Sequence, residues 1–450
     1  MINGIYLLGM MALVALGNNQ SVSISETVPH ITMTTAISGE MFFSLKFSGV
    51  ITVNWGDGTI QTDTIRDGGQ AYLHTYSQAS SRTITITGDS ITGLGCNRIE
   101  LTGLDVSFNP ALTELRCQGN RLKNLDVSFN PALTKLECQG NRLKSLDVSH
   151  NPALTELVCQ SNQLKSLDVS QNPTLTVLHC GYNKLTVLDI SQNRLLKRLT
   201  CYDNKLVYLD VSDNPLLSEL RCEENQLTTL DISRNTELVT FWCSNNRLTG
   251  LDVSHNSALR ELYCESNRLT SLDVSHNPVL NQLVFNYNQL TSLDVSHNPV
   301  LITLHCNKNR LTSLDVSRNP ALRSLHCQLN QLKKLDVSYN PGLMWLQCDY
   351  NRLTGLDVSQ NPKLIHLTCN KNQLKNLDLS QNTALELVYC CNNKLQTNAL
   401  DALFKSIHSK ILGYRGYELY IYGNPGVNNC NTGIASSKGW KVEIKTNTIK

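Results

Sequence analysis

The sequence predicts a mainly β fold: a right-handed solenoid of about 14 coils with parallel β ladders, a small sandwich-like β domain before it and an α/β cap after it. Three observations lead there. A "Leu-Asp-(Val/Ile/Leu)-Ser" stretch recurs from Asp105, Asp126 and Asp147 to Asp378, fourteen times at a constant step of 21 residues. Such constancy makes each unit one turn of a coil stacked in register on the next. Within a unit the apolar residues alternate with polar ones, the period of a strand with one buried face, and helical spacing is missing.

In residues 146 to 166 the apolar positions are Leu146, Val148, Leu154, Leu157, Cys159 and Leu164. Both "LDV" and "LVC" read as short extended pieces, so each coil is expected to carry two, on opposite sides, each pairing in parallel with its neighbours. Six small apolar side chains do not offset the entropy of ordering a whole unit, so burial between neighbours has to complete the fold. At about 4.8 Å per parallel strand the array would be a rod on the order of 65 Å long.

The 450 residues carry a formal net charge of +2 and no long charge run, which argues against nucleic acid or an acidic membrane surface as partner. At the N-terminus, Ile5 to Leu16 is an apolar run too short to span a bilayer. With the small-x-small pattern Ala15-Leu16-Gly17 it reads as a signal peptide over residues 1–17, although no Lys or Arg precedes it. A buried first strand is the alternative. No later segment is apolar enough to cross a membrane, so the mature chain is expected to lack a transmembrane segment.

The repeated unit resembles a known family at this point. "LTELVCQSNQL" fits the pattern LxxLxLxxNxL, and "LKSLDVSHNP" nearly repeats it inside the same unit. The array at 93–396 is similar to the short, nested 21-residue leucine-rich repeats of bacterial surface proteins. The resemblance implies an asparagine ladder at the bend, carried here by Asn120, Asn141, Asn162 and Asn183 onward to Asn393, and a binding site on the strand face. Ten units place Pro after a second Asn, as at Pro110, Pro131 and Pro152, which restricts the backbone there.

One unit holds a carboxylate, a thiol, asparagines and, in places, a histidine, which could be taken for a catalytic set. A catalytic group is needed once, whereas these recur in every coil. The column from Cys96 to Cys390 has fifteen places, fourteen of them Cys, with Phe285 the exception. Adjacent thiols would be close enough to bridge. Phe285, however, splits the column into runs of nine and five, both odd, and a site that accepts Phe wants an apolar filler. The column is therefore read as buried free thiols; Cys391 and Cys430 lie outside it, and a bridge between those two stays open.

The aspartate ladder is read as a set of turn acceptors for the Ser two places on, rather than as a row of calcium sites, for which the Gly-Gly-x-Gly-x-Asp signature is missing. His255, His276 and His297 share a column that also accepts Phe108, Gln171, Asp213 and Arg234, so that column is a solvated row rather than a metal site. Neither a catalytic residue, a metal site nor a cofactor is called for.

Information about a partner has to sit where the coils differ. The outward position before each Cys mixes charged, aromatic and aliphatic residues from coil to coil, and its candidate binding residues are His179, Arg221, Trp242, Tyr263, His305 and His326. Tyr182, Tyr287 and Tyr350 stand two places after a Cys, Tyr202 follows one directly, and Trp345 sits three places before one. Aromatic, His and Arg side chains without a core role suit contact with a ligand. The expected function is an exported or cell-surface bacterial binding protein that captures a protein ligand; the alternative is a glycan held by Trp/Tyr stacking, and an enzyme is not expected.

Residues 18–92 read as a β domain, in which "ITVNWGDGTI" is strand, Asp-Gly turn, strand, followed by "HTY" at His74 to Tyr76 and "RTITITG" at Arg82 to Gly88. This resembles a PKD-type sandwich, which implies that Trp55, Asp57 and Tyr76 are fold residues. Residues 397–450 read as a cap: a helix from Leu400 through Ile411, with Asn398 as its N-cap and Gly413 as its stop, then two strands in "ELYIYGNPG" and "KGWKVEIK".

Overall fold

We describe a computed structural model of the chain over residues 29–88, 90–409 and 416–445, with the side chain of residue 67 set aside. The expected leader at 1–17 lies outside the described residues, as do Ile411 and Gly413. Among the described residues, no helix is long and apolar enough to cross a membrane.

Five strands precede the repeats: β1 (His30–Thr35), β2 (Gly39–Asn54), β3 (Ile60–Tyr76), β4 (Arg82–Thr87) and β5 (Ile91–Gly95). β1 pairs with β4, and β2 with β3, β4 and β5, all antiparallel. Trp55 is buried, its carbonyl accepts the Tyr76 hydroxyl at 2.7 Å, and its ring stacks on His74 at 4.7 Å. The His74 Nε2 meets the Asp57 carboxylate at 2.7 Å, and Asp57 also accepts the amide of Thr59. All of these contacts are local and hold the turn at Gly56–Gly58.

β5 passes the sheet on to the repeats. It pairs in parallel with β7 (Glu114–Arg116), and from there one three-residue strand per coil continues the ladder as far as β20 (Leu387–Tyr389). β6 (Gly103–Asp105), the "LD" segment of the first unit, pairs instead with β1, antiparallel, with Leu104 opposite Met33. The central Leu of each strand and the Cys that follows point into the core, where Leu157 and Cys159 are fully buried.

Only one of the two expected ladders forms. In the later coils "LDV" keeps its alternation, with Val148 buried and Asp147 exposed, but it does not pair as strand. Its backbone is turned away from its neighbours: the carbonyl of Val148 accepts the Asn151 amide, and the carbonyl of Asn151 accepts the Leu154 amide. A side-chain ladder takes over the bridging. Asn151 is fully buried and its Nδ2 donates to the carbonyls of Val127 and Asn130 in the coil before. The units from Asn130 to Asn382 repeat this arrangement, whereas Asn109 in the first donates to the carbonyl of His30.

The asparagine ladder that was expected is present as well. Asn141 Oδ1 accepts the amide of Leu122, and its Nδ2 donates to the carbonyls of Cys117 and Cys138. Each such residue satisfies backbone groups on two coils at once, which a buried bend requires. All sixteen cysteines are free thiols, including Cys391 and Cys430. Burial pushes the column thiols well up, Cys159 to about 12, so they remain protonated and pack as small hydrophobes.

The cap starts with helix α1 (Thr397–Ser406), which ends well before Gly413 and buries Leu400, Leu403 and Phe404. Its N-cap is Gln396 rather than Asn398, and no side chain caps it; Asn398 lies inside the first turn. The two closing strands, β21 (Tyr417–Tyr420) and β22 (Trp440–Glu443), extend the parallel ladder past the last repeat, and the short helix α2 (Gly433–Ser436) lies between them. The cap thereby covers one open edge of the stacked coils.

Candidate functional site

A parallel ladder in strict register puts equivalent residues of successive coils side by side. Arg221 pairs with Trp242, Trp242 with Tyr263, Tyr263 with Val284, Val284 with His305 and His305 with His326. Neighbours at strand spacing have to touch, and the side chains pack on one another as well as facing outward. Trp242, Tyr263, Arg221, His179, His305 and His326 are accordingly half-buried rather than fully exposed, and Val158, Thr200 and Val284 in the same row are buried.

Five of the expected residues form one continuous stack. Tyr182 meets Tyr202 edge-on at 5.0 Å. The guanidinium of Arg221 lies between Tyr202, 5.1 Å from that ring, and Trp242, 4.0 Å from the other. Trp242 then packs at a tilt against Tyr263, 4.8 Å away. Glu223 fixes the arginine, accepting from its Nη2 at 2.9 Å and its Nε at 3.2 Å. Burial pushes the Glu223 carboxyl up, and Arg221 works against that shift.

Beyond Val284 the row continues as a separate histidine pair. The rings of His305 and His326 stack at 3.8 Å and are 4° from parallel. Ser324 Oγ is 3.0 Å from His305 Nε2. Burial, with a smaller repulsion from His326, lowers His305 to about 4, so the pair is neutral at pH 7. His179 stands alone against Thr200, Nδ1 to Oγ1 at 2.7 Å, and burial lowers it too.

Tyr182, Tyr287 and Tyr350 occupy a different column with its own geometry. The residue two places after each Cys adopts left-handed backbone, φ 51° at Tyr182, 56° at Tyr287 and 53° at Tyr350. This conformation costs a non-glycine residue about 1 kcal/mol. The amide of each donates across to the next coil, as Tyr182 does to the carbonyl of Tyr202, which offsets the strain. Only Gly119 and Gly140 in the early coils, and Gly423 in the cap, use glycine there. Lys308 sits over the Tyr287 ring at 4.5 Å and Lys371 over Tyr350 at 4.4 Å. Trp345 falls in yet another row, that of Thr240 and Glu261, and among the described residues no ring stacks on it.

Some of the face was not singled out from sequence. Lys308 and Lys371 follow their tyrosines by 21 residues, so the period itself was the signal. Tyr420 stacks on Tyr389 at 4.2 Å and carries the row into the cap; an irregular spacing hid it. At the other end the face is ionic: Lys46 and Arg116 both pair with Glu114, and Lys135 bridges Glu137 at 2.7 Å and Glu156 at 3.0 Å.

The side chains of the aspartate column and of the exposed histidine row bond to their own coil. Each Asp accepts the amide of the Ser two places on, as Asp168 does from Ser170 at 2.9 Å, and at Asp168 that bond, with the serine hydroxyl, lowers the carboxyl. His255, His276 and His297 are exposed, each with its Nδ1 against the preceding serine hydroxyl. Among the described residues no group of three or more His, Cys, Asp or Glu is arranged to hold a metal ion.

A one-strand-per-coil ladder, paired asparagine ladders and a buried cysteine column define a leucine-rich-repeat solenoid. The solved functional domain of InlJ from Listeria monocytogenes, which includes a cysteine ladder, is 34% identical over 71% of this chain and 77% of that one, with a TM-score of 0.60. At that likeness the chain belongs to the bacterial leucine-rich-repeat proteins. It shares the fold of LIC12759 from Leptospira interrogans (24% identity, 78% of this chain and 95% of that one, TM-score 0.67). It also shares that of YopM, a leucine-rich effector protein from Yersinia pestis (22% identity, 78% and 88%, TM-score 0.55). No protein-family model and no curated protein matches the chain.

Proposed function

We propose that the chain is an exported or cell-surface binding protein that captures a protein partner on its strand face. The observation that carries this reading is the stack from Tyr182 through Tyr202, Arg221 and Trp242 to Tyr263. It occupies one run of coils while the columns that build the coil stay the same, and Trp, Tyr and Arg are the residue types that anchor protein interfaces. A pre-stacked, half-buried row loses little side-chain entropy when a partner closes over it.

The stack favours a protein over a sugar. Sugar rings lie on free aromatic faces, and those of Trp242 are already against Arg221 and Tyr263. Tyr182, Tyr287 and Tyr350 are each about half exposed, the latter two with a lysine over one face of the ring. A pull-down beside a glycan array, with the full chain and with Trp242→Ala/Tyr263→Ala, separates the two. Protein capture lost in the variant supports the proposal; glycan binding that survives in the variant and depends on the three tyrosines refutes it.

A further inference from the structure

The side of the coil that carries "LD" departs from uniformity at one place. The two residues before each "LD" are small or polar in most units, as in Lys165-Ser166, Thr228-Thr229 and Thr270-Ser271. In two successive coils they become Thr186-Val187 and Val207-Tyr208. Val187, Val207 and Tyr208 are 70%, 55% and 63% exposed. No core role explains them, and together they form an exposed apolar patch in a column that is otherwise hydrophilic.

The patch borders an open groove of about 500 Å³ that contains no residue of the strand face. Asp189, Asp210 and Asp213 line the same groove. Asp189 and Asp210 each accept a serine amide at 2.9 Å, which holds both carboxyls below their usual range, and the Tyr208 hydroxyl donates to Asp210 Oδ2 at 3.3 Å. Among the described residues no Lys, Arg or His forms an ion pair with any of the three. Arg234, one coil on, contributes to the field at Asp210 without pairing with it. Apolar walls beside unneutralised carboxylates complement a cation on an apolar stem.

We propose that this groove is a second docking site, for a protein segment that presents a basic side chain between apolar ones. The stem of the basic residue lies along Val187 and Val207, its head reaches the aspartates, and the Tyr208 ring offers a face to a guanidinium. This inference is independent of the strand face and of whatever binds there.

The test is fluorescence anisotropy of labelled Gly-Leu-Arg-Leu-Gly against the full chain, with a citrulline peptide as the uncharged control. A Val187→Ser/Val207→Thr/Tyr208→Ser variant introduces residues that other coils already carry at these places, so the coil folds. The arginine peptide should bind saturably, and roughly tenfold more weakly to the variant. The citrulline peptide should be weakened similarly, whereas Trp242→Ala/Tyr263→Ala should leave arginine-peptide binding intact. No binding to the unaltered chain, equal binding of the two peptides, or equal binding by chain and variant overturns the proposal.

Discussion

Arg221 holds its guanidinium 4.0 Å from the centre of the Trp242 ring, with Glu223 fixing its other edge at 2.9 Å. Neither residue is part of the framework of the coil, since both occupy a column that other units fill with Val, Thr or His. An arrangement of this kind orders three side chains before any partner arrives. Replacing Arg221 by Ala should weaken partner capture and cost the fold only about 0.5–2 kcal/mol, the range of a partly desolvated cation–π contact. Thermal melts beside binding measurements check this; loss of the fold with no selective loss of binding would contradict it.

Asparagine in the buried ladders should be far less replaceable. Asn162 accepts from the Leu143 amide and donates to the carbonyls of Cys138 and Cys159. Asn162→Ala leaves those groups buried and unpaired, so a loss of about 2–5 kcal/mol is expected. Lys165→Ala in the same coil, at an exposed position, should stay within about 0.5 kcal/mol. Urea titrations of the two variants make the comparison, and similar costs would refute the role given to the ladder.

How far the sequence disclosed this follows from which groups do the bridging. The period, the paired strand and the first asparagine ladder were legible because each needs one kind of residue at a fixed place, the buried Leu and Cys of the strand and the Asn of the bend. The second ladder was not, because "LDV" alternates like a strand while its backbone is consumed by turns at Val148 and Asn151. Left-handed backbone at Tyr182, Tyr287 and Tyr350 was equally hidden, since the sequence writes Tyr where the conformation would suggest Gly or Asn. The crowding of Trp242 and Tyr263 depends on neighbours 21 residues away, which a unit read alone does not reveal. The helix ends early because its apolar pattern outlasts its hydrogen bonding: the Ile407 amide still reaches Leu403, but Ile407 itself is extended.

The stacked histidines should register in the pH dependence of stability. His305 titrates near 4 in the fold against an ordinary value of 6.5, so the unfolded chain binds more protons between those values. Its contribution is complete above about pH 6.5 and is lost as pH falls toward 4. His305→Gln/His326→Gln should therefore show a shallower fall in Tm across that window. An identical pH profile for the two proteins would remove the histidine pair from the account.

Thiol labelling probes the cysteine column. Fourteen column thiols are fully buried, and burial pushes Cys96, Cys159 and Cys306 up to about 12. Cys430 is the partly exposed thiol. A native-state titration with a maleimide should modify Cys430 first and leave the column unreacted until the chain is unfolded, when all sixteen react. Rapid labelling of Cys159 or Cys306 in the folded protein would contradict a sealed core.

The aspartate row is satisfied by serine amides, so chelation of divalent ions with EDTA should leave Tm unchanged. A chelator-dependent fall would assign the row to cations instead.

The central claim is that uniform columns build the coil and variable ones recognise the partner. Photo-cross-linking tests it most directly, with benzoylphenylalanine placed either at position 242, in the variable stack, or at position 313, an exposed serine outside the strand face and five coils from the Val187–Tyr208 patch. Covalent adducts of a partner protein at 242 and none at 313 are the predicted result. Adducts at 313 with none at 242 would contradict it.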